Sequence, residues 1–248
     1  MVGLQLNLIY MKKKWFFMFQ LLIVFVSTRG QSLGDPDGVA LTDNRLQEFL
    51  SDVVFKKNTP VPLKSIKGAP YFNEKFSKGT IHQKNKIVSN KLYFRYNAFA
   101  DEIEIGTHPN QKTTEESLLK KNELFCQFGG KTFYYLPHIN KNEKIKLGYL
   151  ISLHRSNKHH LFLQLKKQYR EATTPRTSLE RAFPPRFTEE KNLYLGEGNQ
   201  TPVYIGNRVK KVIKKLPNEI KLTAKKHGIN LKEIKNIEQL TSVFLKIK

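Results

Sequence analysis

From Ser65 onward, apolar and polar residues alternate along most of the chain. Period-two alternation marks strands that bury one face. It predicts strands at Tyr71–Phe76, Thr80–Gln83, Lys86–Tyr96, Glu102–Gly106, Glu123–Phe128, Thr132–Leu136, Leu147–His154 and His159–Tyr169. In the last of these, Leu161, Leu163 and Leu165 share one face, and Phe162, Gln164 and Lys166 the other. Gly129-Gly130 between two aromatic runs is a two-residue hairpin signal. Arg155-Ser156-Asn157-Lys158 joins the last two strands in the same way. Strands in succession with short links predict an antiparallel meander, folded as a curved sheet or open barrel.

The pattern changes after residue 171. Pro175, Pro184 and Pro185 break the alternation, with Arg176, Arg181 and Arg186 among them. Residues 172–190 therefore read as a Pro/Arg-rich strap, with Leu179, Phe183 and Phe187 available to bury. Residues 191–248 follow as a C-terminal unit. It holds a small hairpin, Asn192–Leu195 with Pro202–Ile205, and then short helices. The first helix has Asn207 as a cap and Val209, Val212, Ile213 and Leu216 at helical spacing, and Pro217 ends it. Asn218–His227 is the second, stopped by Gly228. Ile237, Leu240, Val243 and Phe244 mark the third. The predicted fold class is α+β: a meander over residues 65–171, then the strap, then the hairpin and helices.

Ahead of the meander, residues 31–64 read as a linker and a short helix. Gly34-Asp35-Pro36-Asp37-Gly38 is turn-forming and lacks the later ligands and closing Glu of a calcium loop. Asp43 can cap a helix with Leu46, Phe49 and Leu50 on one face, and Val53-Val54-Phe55 reads as a strand. Residues 1–30 read as a signal peptide. Lys12-Lys13-Lys14 precedes an apolar run from Trp15 to Val26 that is too short to span a bilayer. Small residues at Thr28 and Gly30 place a cut before Gln31, and Met11 is an alternative start to Met1. A retained N-terminal anchor is the competing reading. The localisation expected is export, to the periplasm or the cell surface.

Charge adds a class of partner. The formal net charge is +22, and losing residues 1–30 removes four cationic residues and no acid, leaving +18. A basic exported chain attracts polyanions such as anionic lipid and acidic polysaccharide. The competing reading is a solvated lysine-rich surface. The densest basic patch is Lys210, Lys211, Lys214 and Lys215. Cys126 is the single cysteine, so an internal disulfide framework is excluded, and it reads as a buried small hydrophobe in a strand.

Candidate chemistry is sparse. Lys91–Ile105, KLYFRYNAFADEIEI, gathers Arg95 and Asn97 with Asp101, Glu102 and Glu104. Placed on two strands, Arg95 and Glu102 can form a cross-strand pair on the outer face, and Asn97 and Asp101 can bond to backbone in the turn. A glycosidase needs two carboxyls flanking a sugar, and Glu102 and Glu104 are the only candidates here. His154 opposite His159, with His160 beside it, invites a metal reading. A zinc site also needs a third ligand, and neither His138 nor the distant His82 and His108 has a recognisable spacing to them. No phosphate loop or nucleophile elbow occurs. No cofactor and no metal are expected. Arg176, Arg181 and Arg186, with Phe183 and Phe187, could stack on sugars or bases. Nucleic acid is disfavoured because no recognised motif accompanies them and because the chain reads as exported.

One further pattern is informative. Lys67-Gly68-Ala69-Pro70-Tyr71-Phe72-Asn73-Glu74-Lys75-Phe76-Ser77-Lys78-Gly79-Thr80, then Arg95-Tyr96-Asn97 and Asp101-Glu102, resembles a family of uncharacterised exported proteins of Bacteroidetes-type bacteria. The resemblance extends to the late Pro-rich strap and the Lys-rich helical end, and so covers most of residues 65–248. It implies export in a Gram-negative cell and supplies no activity and no catalytic residues. The chain departs from the pattern at Ala98-Phe99-Ala100 and in a polar insert from Gly106 to Asn122.

The function expected is a non-enzymatic envelope protein that binds or scaffolds a partner protein or an anionic glycan or lipid, touching membrane only peripherally. The binding residues expected are Lys210, Lys211, Lys214 and Lys215 with Arg176, Arg181 and Arg186. A hydrolase of envelope polysaccharide using Glu102 or Glu104, and a ligand-carrying β-barrel, are the alternatives.

Overall fold

The structure, a computed structural model, describes residues 54–56 and 66–246 apart from Asn85, Arg176, Ser178 and Glu180. The helix expected near Asp43 lies outside these residues. Most strands form where alternation predicts them. They are β1 (Val54–Lys56), β2 (Ser77–Gln83), β3 (Lys86–Asn97), β4 (Glu102–Gly106), β5 (Glu116–Leu118), β6 (Leu124–Phe128), β7 (Lys131–Ile139), β8 (Ile145–Arg155), β9 (His159–Arg170), β10 (Arg186–Glu197) and β11 (Val203–Gly206). Three helices follow: α1 (Val209–Lys215), α2 (Asn218–Lys226) and α3 (Ile237–Lys246), with a 3-10 turn at Leu231–Glu233 before the last. The fold is α+β, built on a curved antiparallel sheet. Among the described residues, no helix is long and apolar enough to cross a membrane.

The strand order β1-β5-β4-β3-β2-β6-β7-β11-β10-β9-β8, with β7 also paired to β8, departs from a simple meander. The chain runs outward from β2 through β5 and returns to pair β6 with the other side of β2. The last five strands, β7 to β11, curl into an incomplete ring. A single parallel bridge closes it, Ile139 to Val203.

Two cores result from the two faces of these strands. Leu150, Phe162 and Tyr194 meet Tyr134, Leu136 and Tyr204, so each of the five ring strands sends a side chain inward. The interior of the ring is filled by these side chains. The larger core lies on the other face. It joins Phe94, Tyr96, Ile103, Phe133, Tyr149, Leu163 and Leu193 from the sheet to Val212, Ile220, Leu240 and Phe244 from the helices. Sheet and helices therefore share one core.

Several elements differ from the sequence expectation. Tyr71–Phe76 is not a strand: only Tyr71 makes a bridge, to Asn97. The polar insert carries β5, whose Ser117 pairs with Glu104. The strap is shorter than expected because Arg186 already starts β10. Asn207 does not cap α1, whose first flanking residue is Arg208, without a side-chain cap bond. The third helix has a cap the pattern did not reveal. Asn236 Oδ1 accepts from the Gln239 amide at 2.8 Å, and Gln239 Oε1 accepts from the Lys235 amide at 2.8 Å.

Candidate functional site

The β3–β4 hairpin pairs Arg95 with Glu104 and Asn97 with Glu102, so the expected Arg95–Glu102 pair does not form. The face carrying these groups is covered rather than solvated. Arg95 and Glu104 are each only 4% exposed. Arg95 Nε and Nη2 donate to Glu104 Oε2 at 3.0 and 2.6 Å. Its Nη1 donates to the Glu74 carbonyl at 3.0 Å, and both Nη groups donate to the Lys112 carbonyl at 3.3 Å. The guanidinium lies 3.7 Å from the Tyr71 ring centre and 4.2 Å from that of Phe76. Asn97 Nδ2 donates to Glu104 Oε1 at 3.1 Å, while its Oδ1 accepts from the Phe99 and Ala100 amides. Each donor of Arg95 and both oxygens of Glu104 are thus engaged. Such a carboxylate is poorly placed to move protons, which counts against Glu104 as one of two glycosidase carboxyls.

Over this pair opens a cleft of about 410 Å³, with Tyr71, Glu74, Lys75, Asn110 and Lys112 in its wall. Its rim is fixed from below. Arg95 holds the carbonyls of Glu74 and Lys112, and Gln111 ties the loop together through the Thr107 amide and the Thr113 carbonyl, each at 2.9 Å.

A second polar cluster sits inside the ring. Tyr194 OH donates to Gln164 Oε1 at 2.9 Å, and Gln164 Nε2 donates to His138 Nε2 at 3.1 Å. His138 Nδ1–H then donates to the Leu136 carbonyl at 3.2 Å. This one-way chain requires a neutral imidazole. Burial pushes the His138 pKa down, and the Leu136 bond opposes that shift. Beside it, Asp101 adopts φ 55° and accepts from Tyr96 OH at 2.6 Å and from the Tyr149 amide. Burial and the Asp101 carboxylate both push the Tyr96 phenol up.

The histidine pair predicted across the β8–β9 turn does not assemble. A bulge between Ser152 and His154 sets His154 opposite Leu161 and Arg155 opposite His160. His154 packs on Phe244 instead. His160 Nε2 bonds the Gly198 carbonyl at 2.8 Å. No group of three or more metal-binding side chains occurs among the described residues. Cys126 is buried, and burial raises its thiol pKa, so it is a poor nucleophile.

The basic residues divide between two surfaces. Lys210, Lys211, Lys214 and Lys215 are all exposed on α1, which has no acid in its first turn. Among the described residues none of their ammonium groups has a carboxylate within ion-pair distance; Lys215 lies 5.7 Å over the Tyr204 ring. Arg186 pairs with Arg170 at the end of the β9–β10 ribbon and stacks on Phe183 at 4.5 Å, while Arg181 is exposed in the strap. Arg176 lies outside the described residues. The sequence did not reveal that Phe99 and Tyr169 join this end. Phe99 packs edge-on to Phe187 at 5.4 Å, and Tyr169 does so at 5.9 Å.

The fold and its surfaces define an α+β protein with a filled sheet core and two basic outer faces. Comparison with protein-family models, with curated proteins and with solved structures returns no match.

Proposed function

We propose that the chain is an exported, non-enzymatic protein of the bacterial envelope that holds an anionic glycan or lipid on its outer surface. The observation that carries this is the α1 face, with four exposed ammonium groups and no carboxylate paired to them among the described residues. Such a patch concentrates polyanions and steers their approach. The Lys12–Lys14 and Trp15–Val26 pattern, and the resemblance to exported Bacteroidetes-type proteins, support the compartment. The engagement of Glu104 weakens the hydrolase reading, and the side chains filling the ring weaken the ligand-carrying one.

Salt titration tests the proposal. Binding to vesicles containing phosphatidylglycerol, or to oligogalacturonate, weakens as salt rises from 50 to 500 mM if charge drives it. Replacing Lys210, Lys211, Lys214 and Lys215 together by Gln lowers affinity and flattens that dependence. Affinity that is constant across the salt range refutes the proposal. The two probes separate a lipid headgroup from a glycan as the source of the anion.

A further inference from the structure

We infer that the groove between α2 and the 3-10 turn binds an anionic membrane lipid, with its phosphate among three lysines and the start of its acyl chain against Ile229 and Leu231. The inference rests on the anion-binding reading above and chooses between the two ligands which that reading leaves open.

The groove follows from how α2 ends. Gly228 takes φ 68°, a conformation that glycine enters freely, and turns the chain at the helix end. The Ile229 amide then donates to the Ala224 carbonyl at 2.9 Å, and the Gly228 amide to the Lys225 carbonyl at 3.0 Å. Carbonyls that would repel an anion at a helix C-terminus are thereby engaged. The turn leaves a groove of about 430 Å³. Lys221 and Lys225, one helical turn apart, line it from α2, and Ile229, Leu231 and Lys232 line it from the chain beyond.

Charge sets the sign of the ligand. No acid lines the groove. Among the described residues no carboxylate lies within ion-pair distance of Lys221, Lys225 or Lys232. Glu233, the next residue, is held by Asn230, whose Nδ2 donates to its Oε1 at 2.6 Å. Lys221 Nζ donates to the Lys214 carbonyl at 2.8 Å, so the groove adjoins the α1 lysines.

The rest of the lining selects a lipid over a glycan. Sugar hydroxyls are read by placed polar groups, and the one side-chain amide here is spent. Asn230 Oδ1 accepts from the Lys232 amide at 3.1 Å while its Nδ2 holds Glu233. What remains is apolar: half-buried Ile229 and Leu231, and the stems of the lysines. No aromatic ring lines the groove for a base to stack on, which disfavours nucleic acid. On the solvent side of α2, Leu222 is 61% exposed, and Lys225 and Lys226 are its neighbours one turn on. An exposed leucine among lysines is what a helix resting in a lipid interface presents.

The test titrates the full chain with dihexanoylphosphatidylglycerol, held below its micelle concentration, in isothermal titration calorimetry. Binding is expected, weakening as salt rises. Glycerol phosphate, which has the anion and no acyl chain, binds at least about tenfold more weakly, since each buried methylene is worth about fourfold. Dihexanoylphosphatidylcholine, with no net charge, is weaker by a similar factor. Lys221→Gln with Lys225→Gln and Lys232→Gln weakens lipid binding at least about tenfold, each lysine near an anionic lipid being worth about fivefold. Lys225→Glu with Lys232→Glu, both at exposed positions, repeats the loss should replacing Lys221 disturb the helices. Lys141→Gln with Lys144→Gln, which removes two charges from the β7–β8 turn, leaves affinity within about twofold. Wild-type affinity in the groove variants overturns the inference, as does equal binding of glycerol phosphate or of the phosphatidylcholine. If the chain binds oligogalacturonate and not the lipid, or if only the α1 variant loses lipid binding, the groove fails and the lysine face stands. If neither probe binds in a salt-dependent way, the lysine face fails too.

Discussion

Arg95 spends its donors inside the fold, on one carboxylate and two carbonyls. Removing one partner of such a pair strands a buried charge, which costs about 3–5 kcal/mol. Arg95→Ala is therefore expected to lower the urea midpoint sharply. Arg95→Leu with Glu104→Leu should lower it by much less than the two single changes combined, which a double-mutant cycle reads directly. The sequence identified the right residues and the wrong pair. A slip of two residues in register keeps a side chain on its face and changes its partner. The turn that sets the register includes Asp101 at positive φ, which composition does not disclose. Gly148 is a second residue-scale constraint. A Cβ there would lie 2.8 Å from Asp101 Oδ2 and 3.2 Å from His138 Cε1, so Gly148→Ala is expected to cost about 1–3 kcal/mol in urea unfolding. His138 sets a pH dependence. Its folded pKa is depressed mainly by burial, with Lys166 adding to the shift and Asp101 and the Leu136 carbonyl opposing it. The unfolded chain then binds the proton more readily. The stability from the neutral ring is present above the unfolded value, about 6.5, and is lost as pH falls from there through the folded pKa. Urea midpoints taken between pH 7.5 and pH 5 should fall, and the fall should shrink in His138→Gln.

At the scale of elements, alternation succeeded in β9, whose Leu161, Leu163 and Leu165 face the larger core while Phe162 faces the ring interior. It failed in three informative places. Tyr71–Phe76 has the pattern of a strand but does not form one: Tyr71 and Phe76 clamp Arg95, and Phe72 packs against the larger core. β5 spans only Glu116–Leu118, too short to show a period. The start of β10 has Phe187 as its one apolar residue and lies beyond the reach of β11, so residues 186–190 read as part of the strap. The helices were legible from their spacing, since Val209, Val212, Ile220, Ala224, Leu240, Val243 and Phe244 recur at helical intervals and are buried in the larger core. Leu240, fully buried in that core, makes the dependence measurable. Leu240→Ala is expected to cost about 2–5 kcal/mol in denaturant unfolding. Sheet and helix signals, by near- and far-UV circular dichroism, should still be lost together.

For the whole molecule, the proposed function rests on the charge balance. What the sequence could not show was where the cations stand relative to the acids. The fold pairs Glu189, Glu219 and Glu104 with basic partners. It leaves the α1 lysines and the ribbon arginines unpaired among the described residues. Only three-dimensional placement separates a uniformly mixed charged surface from a face of cations without neighbouring acids. The ring has a consequence of its own. One rung between β7 and β11 holds it shut, with the Ile139 amide reaching the Pro202 carbonyl at 2.8 Å. A hoop fastened at a single clasp parts there first. Deuterium should reach the Ile139 amide well before that of Leu163, deep in the β8–β9–β10 weave, and uniform uptake around the hoop would mean that it opens only when everything else does.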